Sequence, residues 1–150
     1  MNSSIFYSIL MLFAGLGIPI MATLNSGLGA RLQSPALAVA ILLFVALTLA
    51  ISILLIRDGI PSSVYLPNTP WYFYFGGVFF VLYILSITWV APHFGIANAV
   101  SFVLLGQLLA MIIIDHFGLM GTPQYSLDMK RLIGIVLMTM GVFMVVSRKS

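Results

Sequence analysis

Five apolar runs dominate this chain, at residues 5–24, 35–56, 71–91, 94–117 and 127–146. Each is about the ~20 residues that a helix rising ~1.5 Å per residue needs to cross ~30 Å of hydrocarbon. Little else is left in 150 residues, of which 62% are hydrophobic and 6% charged. A soluble domain carries ~25% charged residues, so burying these runs in a water-soluble core is excluded. The expectation is an all-α membrane protein, multi-pass, with residues 1–150 forming a single five-helix transmembrane domain and no room for a soluble one. Its solvent, and first partner, is the lipid bilayer. The chain has no cysteine, so disulfides and thiolate metal sites are unavailable, and no metal or other cofactor is expected. Six basic residues against three acids form no basic cluster; they read as charges flanking membrane spans, not as a nucleic-acid surface.

The first run follows a leader, Met1–Ser4, without Lys or Arg, and no small-residue cleavage pattern follows it. A retained span is therefore expected, not a signal peptide. Gly15, Gly17 and Pro19 lie inside it. The proline removes one backbone hydrogen bond and predicts a kink, which serves either close packing or a substrate path. Asn25 and Ser26 are read as the helix end, with Gly27, Gly29 and Arg31 in a loop. Pro35 suits the first turn of the second helix, and Arg57-Asp58-Gly59 stops it. Residues 60–70, with three prolines, form a connector. The third run lies between Trp71 and Trp89, ~27 Å apart on a helix, as aromatic belts at two interfaces would be. Tyr83 and Trp89 have a second reading, as cavity-lining rings. Pro92-His93 is taken as the connection to the fourth helix, and Ser126 as the N-cap of the fifth. Gly134 and Gly141 share one face of that last helix and offer a groove to another.

The fourth run carries Asn98, Ser101 and Gln107, with Asp115 and His116 at its far end. An unpartnered amide at membrane depth costs several kcal/mol, so Gln107 is expected to face other helices or a wet cavity. Gln107 and Asp115 fall ~80° apart on a helical wheel, whereas Asn98 lies ~180° from Gln107. One narrow cavity within one chain cannot receive both amides. Asp115 is the carboxylate nearest to a span interior, and ionisable groups there are functional candidates by default. It reads either as a coupling residue with His116 or as a solvated group serving the next loop. No carboxylate sits in mid-span, which argues against proton antiport through a central acid.

Five spans put the termini on opposite sides. Arg57, Lys130 and Arg131 then share the N-terminal side, and Arg31, Arg148 and Lys149 the other. The histidines also divide, His116 against His93. Orientation follows an excess of Lys and Arg in cytoplasmic loops, and this chain has none. Either another cue sets the orientation, or copies insert both ways and pair antiparallel into a ten-helix inverted repeat.

The pattern Pro19…Asn25, Trp71…Gly76-Gly77…Tyr83, Gly106-Gln107, Asp115-His116-Phe117-Gly118 and Arg131-Leu132-Ile133-Gly134…Gly141 resembles the short YdcZ-type proteins. These stand beside the EamA-like and small multidrug resistance families in the drug/metabolite transporter superfamily. The resemblance implies two five-helix units forming a ten-helix transporter in the bacterial inner (plasma) membrane. It makes Gln107, Asn98, Ser101, Asn25, Trp89 and Tyr83 the substrate-binding or cavity candidates. Asp115 and His116 are then coupling candidates, and Gly15, Gly17, Pro19, Gly106, Gly134 and Gly141 kink or packing positions. The expected partner is a second, antiparallel copy or a related small membrane protein, with a small-molecule cargo that the residues do not name. The alternative is a non-transporting accessory subunit. No HExxH, P-loop or GxSxG motif is present, and an enzyme is not expected.

Overall fold

The computed structural model describes residues 3–61, 63 and 69–146. Met1 and Asn2 of the leader, residues 62 and 64–68 of the connector, and Arg148 and Lys149 of the charge count lie outside them. The described residues form five α-helices: α1 (Ser3–Leu32), α2 (Pro35–Arg57), α3 (Gly76–Phe94), α4 (Ile96–Phe117) and α5 (Met129–Val146). Short 3-10 turns occupy Trp71–Phe75 and Leu119–Gly121. With Trp71–Phe75 leading into α3, all five segments are long and apolar enough to cross a membrane.

Several boundaries differ from the sequence reading. α1 does not end at Asn25 but continues to Leu32, through Pro19, Gly27 and Gly29. Its reverse turn needs only two residues. Gln33 takes a left-handed φ of 52° and its N–H donates to Ala30 O, while Ser34 N–H donates to Gly29 O. Ser34 is extended and accepts from Leu37 N–H at 3.2 Å, capping α2 directly before Pro35. Pro92 likewise ends nothing: it lies inside α3, and the break falls at Gly95, where φ is 88°. A side chain is strained at that angle, which is why glycine makes the corner. Ser126 is not the cap of α5. Asp128 is, its Oδ1 accepting from Arg131 N–H at 2.8 Å.

The chain divides into two compact units, Met1–His93 and Phe94–Ser150. In the first, α1 lies against α2, and α3 presents Ile84, Ile87, Thr88 and Ala91 as its buried face. That spacing of three and four residues is one stripe of a helix. Through Thr88 it meets Asn25 and Gly29 of α1, and Ala22 of α1 with Ala38 and Val39 of α2 are also buried in this unit. In the second unit α4 and α5 pack as a hairpin around the turn at Leu119–Gly121. Most large apolar side chains point outward: Phe44, Phe79 and Met144 are more than 70% exposed. A surface of that kind is stable only where the surroundings are themselves apolar.

Candidate functional site

Polar groups inside the first unit converge where α1 crosses α3. Asn25, 4% exposed, donates from Nδ2 to Thr88 Oγ1 at 2.6 Å. Thr88 in turn donates to Ile84 O at 2.6 Å, and Ser26 donates to Thr23 O. Asn25 is therefore not a cap but a mid-helix residue tying α1 to α3. One turn beyond, Gly29 makes the crossing close. A Cβ there would lie 3.1 Å from Thr88 Cγ2 and 3.3 Å from Pro35 Cα. Beside this junction opens a cleft of about 500 Å³, walled by Gly17, Met21 and Asn25 of α1, Ile41 and Ala46 of α2, and Phe80 of α3. The Tyr83 hydroxyl is buried without a hydrogen-bond partner, whereas Trp89 is 63% exposed, its ring edge-on to His93.

In the second unit Gln107 is exposed on α4 and its side chain forms no hydrogen bond. Within the described residues no helix or cleft covers it. Ser101 is half-buried. Asn98 is spent locally, donating to Phe94 O at 2.8 Å in the first turn of α4, beside a cleft of about 490 Å³ bounded by Gly95, Ile96 and Val145.

The far end of α4 is a clasp. Arg131 Nη1 lies 3.4 Å from Asp115 Oδ2, with the guanidinium 5.5 Å above the centre of the Tyr125 ring. Tyr125 N–H donates to Asp115 O, and Gln124 Nε2 to His116 O. Asp115 is thus an ion-pair partner that joins α4 to α5, and no bond links it to His116. The His116 Nδ1 is buried without a partner. Among the described residues no three His, Cys, Asp or Glu side chains cluster as a metal site would require.

A Cβ added at Gly15, Gly17, Gly106, Gly134 or Gly141 would meet nothing within 4 Å. These positions leave room for a side chain, and Gly17 does so on the wall of the cleft. Gly29, read as a loop residue, is the one glycine of α1 that packs tightly. Thr88, Ser26, Tyr125 and Arg131, as the partner of Asp115, were missed as site residues. The signal for Thr88 was present in its place on the Ile84–Ala91 stripe.

The sequence model of a family described as “putative inner membrane exporter, YdcZ” matches residues 6–144, nearly the whole chain. The chain belongs to the YdcZ family. A comparison with curated proteins and another with solved structures returned no match. As a YdcZ-family protein with five helices long and apolar enough to span, it is a multi-pass protein of the inner membrane. Family membership points to an exporter and away from an enzyme.

Proposed function

We propose that this protein exports a small molecule across the inner membrane by alternating access, as an antiparallel pair of five-helix subunits. The cargo site then lies at the midplane between two inverted copies, in the arrangement of the drug/metabolite transporter and EamA-like proteins. The observation that carries this reading is Gln107: a mid-span amide, exposed and unbonded within its own chain. Against acyl chains it would cost several kcal/mol, so a second subunit or a hydrated path must receive it. Gln107 and Ser101 of one copy, with Asn98 of the other, line the central path. Asn25, Tyr83 and Trp89 form its flank. Asp115, released from Arg131, and His116 are the groups through which an ion couples at the membrane surface.

The test is a thermal-shift screen of the purified protein against metabolite and drug-like libraries, followed by the Gln107→Leu variant. A ligand that binds the folded state raises the melting temperature in step with its occupancy. Gln107→Leu is expected to keep the melting temperature of the unliganded protein and to lose both the ligand shift and flux in proteoliposomes. A variant that melts early while transporting normally would make Gln107 a packing residue and remove the central path.

A further inference from the structure

We propose that the cleft of the first unit binds an uncharged, largely apolar molecule carrying one O–H or N–H group, which donates to Asn25 Oδ1. The proposal goes beyond the exporter reading: it concerns the Asn25 flank, not the path lined by Gln107, and names the class of molecule held there.

Hydrogen-bond bookkeeping fixes the direction of the amide. The Thr88 hydroxyl gives its proton to Ile84 O at 2.6 Å, so toward Asn25 its oxygen only accepts. Asn25 must therefore turn its NH₂ to Thr88, leaving Oδ1 as an acceptor with no hydrogen bond. Residue Asn25 is 4% exposed and belongs to the cleft wall. A held, nearly buried acceptor in an apolar surround is a polar anchor of the kind small-molecule sites use for orientation.

The rest of the wall sets the class. The cleft, about 500 Å³, falls within the range of small-molecule sites, ~300–1,000 Å³. Of its eleven lining residues Asn25 alone is polar, and none is titratable. An anion would meet a carbonyl oxygen and no cation; a cation would find no carboxylate. Either charge would be desolvated without a partner, which is costly at membrane depth. A lipid acyl chain fits the apolar wall, but it has no donor and leaves Oδ1 unpaired.

The chain has no cysteine, so Ala46→Cys places a single thiol on the cleft wall. The rate of its alkylation by N-ethylmaleimide is measured in lipid nanodiscs with four probes of one shape: 1-naphthol, 1-methoxynaphthalene, 1-naphthoate and 1-naphthylmethylammonium. Naphthol is expected to slow labelling several-fold. The methyl ether, lacking the donor, should bind about tenfold more weakly, as loss of one buried hydrogen bond implies. The two ions should give no protection. A control thiol from Ala40→Cys, which does not line the cleft, should be unaffected by any probe. In the Ala46→Cys/Asn25→Leu protein, checked for a monodisperse elution peak, naphthol and its ether should protect equally. Equal protection by both while Asn25 is present would overturn the donor requirement, and no protection by any probe would leave the cleft to lipid. Occupancy is read without transport. A chain that binds naphthol but moves nothing would sink the exporter reading alone, and one that transports another cargo without protection would sink this inference alone.

Discussion

Gly29 and Gly27 show how one residue type does two jobs within a single turn. A Cβ at Gly29 would press on Thr88 Cγ2 and on the backbone at Pro35, while one at Gly27 would meet nothing within 4 Å. Gly29→Leu is therefore expected to force α1 away from α2 and α3 and to destabilise the protein by ~1–3 kcal/mol. Gly27→Ala should be neutral or stabilising by up to ~1 kcal/mol, since alanine orders the helix at less entropic cost. Melting temperatures of the two variants in one detergent check the pair; equal losses would deny the close crossing. The Asn25–Thr88 bond belongs to the same scale. A buried amide left unpaired costs ~1–3 kcal/mol, so this bond selects the register in which α1 and α3 meet. In the sequence Gly27, Gly29 and Asn25 look like a loop, because each disfavours helix on its own. Contacts from α2 and α3 override those preferences.

At the scale of elements, the two ends of the helices obey different signals. α1 runs for 30 residues, ~45 Å, which exceeds the hydrocarbon thickness and is accommodated by tilt or by emergence into the headgroups. α5 begins where Asp128 accepts from Arg131 N–H. Asp128→Ala should cost about 1 kcal/mol and speed amide exchange in the first turn of α5, whereas Ser126→Ala should change neither. The reverse pattern would restore Ser126 as the cap. The Asp115–Arg131 pair adds little energy by itself, ~0–1 kcal/mol, since its side chains are 35% and 41% exposed. Its effect is to align the hairpin with the Tyr125 and Gln124 bonds to α4. The composition of the 118–128 stretch identifies it as a loop. Which of its polar residues caps, stacks or pairs depends on where the returning helix lies.

For the whole molecule, the outward apolar surface and the balanced basic residues lead to one experiment. Ile60, 88% exposed after α2, can carry a single thiol in this cysteine-free chain. Balanced Lys and Arg predict that Ile60→Cys is labelled by an impermeant maleimide from both faces of the membrane, roughly half from each. Labelling from one face alone would exclude the antiparallel pair of like chains. The sequence by itself determined the solvent, the five helices able to cross it and the family, because hydrocarbon demands long apolar helices and their composition records that demand directly. Only the tertiary structure decided that Asn25 ties helices together, that Asp115 is neutralised by Arg131 and that Gln107 is left uncovered. Those outcomes depend on which helix faces which, and in a chain apolar on nearly every side, periodicity carries no record of that choice.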